Sequence, residues 1–186
     1  MKNDQVRGFT LAELMVVVVI LGVLATLALF SFRKHVAAAR TAEATQFLGA
    51  VRAAQESYFQ SFGQYCGTPQ PALQPAAMPF ETRESWDPPA DSPWRALGVQ
   101  SSGKVWFQYF LMAGTAAQGP PATAPFLPSE VTGRPWFWAA ACSDFDGDGS
   151  GARCDGGLAN DNPGGRVSFH ELSSVRGAVV SHHEGE

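Results

Sequence analysis

Through its first 68 residues the chain has no proline, and between Glu13 and Arg33 it has no charged residue. The first absence permits an uninterrupted helix, because proline removes a backbone donor and clashes with the preceding turn. The second excludes a water-facing surface helix, which needs a polar stripe. Charge is scarce throughout. Charged residues are 16% of 186, hydrophobic residues 45%, and the formal net charge is −4. That mild acidity points away from nucleic acid, since a backbone binder needs clustered Lys and Arg facing phosphates. Signatures of catalysis are missing too: there is no Gly-x-Ser-x-Gly elbow, Walker loop, dinucleotide glycine pattern or His-Glu-x-x-His. The chain reads as a protein that is not an enzyme. The four histidines include His170 within an alternating segment and His182-His183 in a polar tail, and no pattern of zinc ligands emerges.

What the first third does contain is aliphatic. The charge-free run from Leu14 to Phe32 is apolar on every face. At about 1.5 Å per residue, its roughly 19 residues span close to 30 Å, the thickness of a bilayer core. An ordinary secretory signal is shorter and ends at a small-residue cleavage site. A plain signal anchor fits the length but leaves Glu13 unexplained, an ionisable residue at the edge of a span being costly to insert. Lys2 and Arg7 favour a cytoplasmic N-terminus, while Arg33 and Lys34 on the other flank divide that vote.

The segment Arg7-Gly-Phe-Thr-Leu-Ala-Glu-Leu-Met-Val-Val-Val-Val-Ile-Leu-Gly22 resembles the N-terminus of type IV pilins and of the pseudopilins of type II secretion. The features shared are a basic leader, Gly-Phe, Thr-Leu, a glutamate four residues after the Phe and an immediate apolar run. The resemblance implies a leader at 1–8, cut between Gly8 and Phe9 by a prepilin peptidase that also N-methylates the new Phe9 amine. It implies that the chain waits in the bacterial inner membrane, in contact with lipid. From there it enters a pilus or pseudopilus with other pilin subunits through an inner-membrane assembly platform. Glu13 falls where the family has its glutamate, the partner of the Phe9 amine on an adjacent subunit. A carboxylate in an apolar bundle is tolerated when paired, so that contact sets registry. Many pilins have a proline where this chain has Phe30. Its absence leans toward a minor pilin or a pseudopilin.

Past the span, Phe47, Leu48, Val51, Ala54, Tyr58, Phe59 and Phe62 recur at three- and four-residue spacing, which predicts one helix over 9–62 ended by Gly63. Residues 63–186 then form the globular part. From Cys66 to Gly98, seven prolines exclude a long helix or a central strand, and 66–103 is a connecting loop. Within it Ser92-Pro-Trp-Arg-Ala-Leu-Gly98 predicts a short helix with a serine cap, proline in the first turn and a glycine stop. Three strands follow between 104 and 172, at Lys104–Met112, Pro135–Cys142 and Arg166–Leu172. Turn-rich connections make them antiparallel. The expected fold is α+β and pilin-like, a long helix laid on a small antiparallel sheet.

One loop has the composition of a cation site. Asp144-Phe-Asp-Gly-Asp-Gly-Ser150 sets carboxylates at alternate positions with a glycine for the sharp turn, the form of calcium loops. Asp144, Asp146 and Asp148 would be ligands, Ser150 would offer its carbonyl, and Asp155 stands where such loops end in glutamate. Similar turns hold calcium in some pilins and pseudopilins. The same residues also suit an acidic hairpin turn. Cys142 and Cys154 bracket the loop, and a disulfide between them would pin its ends; Cys66 then stays unpaired or replaces one of them. Three unbridged thiols are the alternative.

Overall fold

The computed structural model describes residues 10–77, 79, 82–120, 131, 133–144, 167–175 and 178–182. The chain divides into two compact units, Met1–Ala38 and Ala39–Glu186. Helix α1 (Leu11–Phe62) runs from the first into the second.

In the first unit, α1 carries the apolar run. Leu11–Leu29 is long and apolar enough to cross a membrane, with a mean hydropathy of 2.6 and none of it buried by the chain's own fold. Leu14, Met15, Val19, Leu24 and Leu27 are all more than half exposed. Nothing in water stabilises such a surface, so lipid or other protein has to cover it.

In the second unit, residues 39–62 of α1 lay one stripe on a sheet. Ala44, Leu48, Val51 and Gln55 are fully buried, at steps of four and three that keep them on one face. The helix ends as the sequence predicts. Gly63 takes φ 70° and its N–H reaches the Phe59 carbonyl at 2.8 Å, a left-handed stop that costs glycine little. The predicted stripe is displaced in one respect. Phe62 is 65% exposed, while polar Gln55 holds an inner position.

Among the described residues the sheet has five strands: β1 (Ala72–Gln74), β2 (Gln108–Gly114), β3 (Trp136–Asp144), β4 (Val167–Ser173) and β5 (Val180–His182). They lie in chain order, every neighbouring pair antiparallel. The sheet thus extends beyond the expected 104–172 on both sides. β1 sits inside the proline-rich connection, as an edge strand that Pro75 ends. β5 takes His182, expected in a solvated tail, into a pairing with Phe169. β2 starts at Gln108 instead of Lys104 because Val105 bridges Glu84, which holds that stretch off the ladder.

Both sheet faces are buried. Ala72, Leu111, Ala139 and Leu172 align across four strands on the face that meets Leu48, Val51, Trp94 and Phe107. Phe110, Met112, Trp136, Trp138, Ala140 and Cys142 make a second cluster on the other face. Every residue of β2 is consequently buried, and the alternation of Arg166–Leu172 does not mark a solvent face. Its Ser168, His170 and Glu171 are buried, as is Leu172.

Helix α2 (Pro93–Leu97) forms as its residues dictate. The Ser92 hydroxyl accepts from the Arg95 N–H at 3.4 Å, and Gly98 closes the helix at φ 68°. Its Trp94 is buried and donates to the Ala72 carbonyl at 3.2 Å, tying the loop to the first edge strand.

Candidate functional site

The apolar run requires that α1 begin with its backbone donors satisfied, and Thr10 and Glu13 do this locally. The Thr10 N–H and the Thr10 hydroxyl both donate to Glu13 Oε2, each at 2.8 Å, and the Glu13 N–H donates to Thr10 Oγ1 at 3.2 Å. This is a reciprocal capping box, in which the first residue outside the helix and the third inside it satisfy each other's backbone donors. The carboxylate lies at the positive end of the helix dipole, where an anion is favoured. Both of its bonds use one oxygen. The pairing is readable as Thr-x-x-Glu ahead of an apolar run, and it is compatible with an interchain role for Glu13. Gly8 and Phe9, the predicted cleavage and methylation residues, lie outside the described residues.

The predicted cation loop is placed only at its start. Asp144 is the last residue of β3, its backbone paired with Val167 of β4. Asp146, Asp148, Ser150, Asp155 and Cys154 lie outside the described residues. Among the described residues no three His, Cys, Asp or Glu side chains gather as a metal site would require. Cys142 is disulfide-bonded. Cys66 is buried and free, and burial raises its thiol pKa, so it is a poor nucleophile.

Three contacts in the second unit fix what surrounds the sheet, and the residue pattern did not announce them. Gln55 reaches off the inner stripe of α1 to treat Cys66 as a strand neighbour would. Its Nε2 donates to the Cys66 carbonyl at 2.7 Å, and its Oε1 accepts from the Cys66 N–H at 2.9 Å. Glu43 Oε1 accepts from the Trp106 N–H at 2.8 Å. Arg40 stacks its guanidinium 3.9 Å from the Trp106 ring centre, with Arg83 5.0 Å from the same ring. Burial and then the neighbouring Arg83 lower the Arg40 pKa.

Known proteins share parts of this sequence. The prokaryotic N-terminal methylation motif matches residues 3–29. The type IV major pilin protein PilA of Myxococcus xanthus (strain DK1622) is 33% identical over 145 residues, covering 70% of this chain and 63% of that protein. The fimbrial protein EcpC of Eikenella corrodens is 39% identical over 57 residues, 31% of this chain and 37% of its own length. A fimbrial protein of Neisseria meningitidis serogroup B (strain ATCC BAA-335 / MC58) is 35% identical over 65 residues, 35% of this chain and 38% of that one. The chain thus spans less than two thirds of the length of each of these relatives. No solved structure matches it. The chain thus carries the prokaryotic N-terminal methylation motif and, over part of its length, is similar to a type IV major pilin and to fimbrial proteins.

Proposed function

We propose that the chain is a structural subunit of a type IV pilus, held in the inner membrane by the first part of α1 and then polymerised through that same helix. The observation that carries this is an apolar helix surface, bare over Leu11–Leu29, that lies within a methylation motif matched over residues 3–29. Lipid covers it in the precursor and neighbouring subunits cover it in the filament. A prepilin peptidase removes residues 1–8 and methylates Phe9, an assembly platform extracts the subunit, and Glu13 pairs with the Phe9 amine of an adjacent copy. The globular unit is then displayed outside the cell. The chain carries no catalytic role. The names of its relatives, a major pilin and two fimbrial proteins, support a pilus. The absence of proline at Phe30 favours a second reading, a pseudopilin of type II secretion; deleting the chain would then abolish export and leave surface filaments intact.

Two local assignments belong to this proposal. Cys154 bridges Cys142, which is supported by the bonded state of Cys142 and the free thiol of Cys66. The loop from Asp144 to Asp155 takes calcium, supported by its alternating carboxylates. Calcium at one hundred times its dissociation constant stabilises the fold by about 2.7 kcal/mol. Chelator should lower the melting temperature, and Asp146→Ala should erase the difference between the two buffers.

Mass spectrometry of the N-terminal peptide tests the main proposal. Mature chain should start at N-methylated Phe9. Loss of the leader removes two positive side chains and one negative, taking the formal charge from −4 to −5. Intact Met1 in membrane-extracted protein sinks the proposal. Glu13→Ala should leave insertion intact, since the span only becomes more apolar, and should exclude the subunit from filaments.

A further inference from the structure

The Glu13 carboxylate stands on a helix that has almost nothing else to offer it. From Leu11 to Ala25 no other side chain carries a hydrogen-bonding group, and the next one, Thr26, spends its hydroxyl on the Val23 carbonyl at 2.7 Å. Among the described residues Thr10 alone bonds the carboxylate, twice at Oε2, and Oε1 accepts no bond. The Thr10 hydroxyl is itself engaged in both roles, donating its proton to Oε2 and accepting from the Glu13 N–H. Its single proton points at Oε2, and with the Thr10 N–H on the same oxygen the carboxylate is biased toward one orientation. Helical side chains lean toward the N-terminus, and Oε1 is therefore presented at the end of α1 where an α-amine arrives.

Building on the filament reading above, we propose that Thr10 is the positioning residue of the assembly contact. Its hydroxyl anchors Oε2 so that Oε1 meets the Phe9 amine of an adjacent copy. Before that copy arrives, the same bond spares the membrane a bare carboxylate, which would be costly at this depth. Each oxygen then has its own task, one serving the chain's own cap and the other the neighbour.

The side chains available separate this from a plain capping role. Thr10→Val keeps the shape, the β-branch and the backbone N–H, and removes only the hydroxyl. Thr10→Ser restores it. Glu13→Gln keeps a cap acceptor and removes the charge. The full chain carrying each change is expressed in filament-forming cells, and the ratio of leader-processed subunit in sheared filaments to that in the membrane pool is measured. Thr10→Val should lower that ratio roughly tenfold, the scale of one charge-assisted hydrogen bond, and Thr10→Ser should recover most of it. In the Glu13→Gln background, Thr10→Val should cost nothing further, because no charge is left to position. Normal incorporation of Thr10→Val beside defective Glu13→Gln overturns the positioning role and leaves the filament reading standing. Equal defects in Thr10→Val and Thr10→Ser overturn it as well, since the hydroxyl is then not the cause. Retention of the leader by Thr10→Val would move the hydroxyl to processing and likewise end the proposal. Normal incorporation of Glu13→Gln removes the reading on which it rests.

Discussion

At Gly114 the sheet has room for a hydrogen and nothing more. A Cβ there would stand 2.6 Å from the Trp136 indole. The ring cannot swing aside freely, because its Nε1 donates to the Gln118 carbonyl at 2.6 Å and its body is buried. Gly114→Ala should therefore cost about 1–3 kcal/mol, as overpacked cores do, read as a lowered melting temperature of the full chain in detergent. Tyr109 poses the reverse problem. Its hydroxyl is buried with no hydrogen-bond partner among the described residues, and burial, aided by the Glu43 carboxylate, drives its pKa far above the ordinary tyrosine value. Tyr65 and Cys66 shift upward as well, chiefly through burial. An acid whose pKa is higher in the folded state holds its proton better there. Its contribution is complete below the unfolded pKa and drains away as pH climbs past it. Stability should decline from about pH 8.5 through the thiol and more steeply above about pH 10 through the phenols. Tyr109→Phe should flatten the upper part of that decline and leave stability at pH 7 unchanged or slightly higher, since it deletes an unpaired polar group. Denaturant titrations at pH 7, 9 and 11 measure both effects; an unaltered slope above pH 10 in Tyr109→Phe would contradict the assignment.

Elements whose signal is local were legible in the sequence. Helix α2 needed only Ser92, Pro93 and Gly98, and α1 needed an apolar run, a periodic stripe and Gly63. Strands β2, β3 and β4 were visible as apolar or alternating runs, with ends displaced by one to four residues because pairing partners set them. The short edge strands were not legible. Three residues such as Ala72–Gln74 or Val180–His182 carry no periodicity, and they become strands through the backbone groups of β2 and β4 alone. Burial on both sheet faces was hidden for a related reason, since alternation suggests a wet face whatever covers it. At the candidate site the motif around Glu13 was plain and the Thr10–Glu13 pairing is written in Thr-x-x-Glu, whereas the use of one carboxylate oxygen for both bonds appears only with geometry. Gln55 shows what hydrophobic pattern misses altogether. It is polar, buried and bonded to both backbone groups of buried Cys66. Gln55→Leu fills similar space and leaves that N–H and carbonyl without partners, a loss of about 3 kcal/mol. Thermal melting should show it, and a change below about 0.5 kcal/mol would mean that water replaces the amide.

On the scale of the whole chain, composition and burial divide the labour. Over Leu11–Leu29 none of the helix is buried by the chain's own fold, and from Ala39 onward the chain supplies its own core. Helices this long rarely persist in water by propensity alone, and tertiary packing of one face is what holds them. The part of α1 after Ala39 has that packing. Ala44, Leu48 and Val51 are buried, Glu43 and Gln55 grip backbone at Trp106 and Cys66, and Arg40 lies on the Trp106 ring. Little of this depends on residues before Ala39. A chain beginning at Ala39 should therefore fold cooperatively in water, without detergent, and run as a monomer by light scattering. Its helical signal should match residues 39–62 together with α2. Leu48→Ala in that shortened chain removes a fully buried side chain at the helix–sheet contact and should cost about 2–5 kcal/mol. The full chain, in contrast, should partition into membranes or detergent through the bare Leu11–Leu29 surface. If the shortened chain aggregates or loses its helix, the first part of α1 contributes to folding as well as to anchoring, and the two units are not independent.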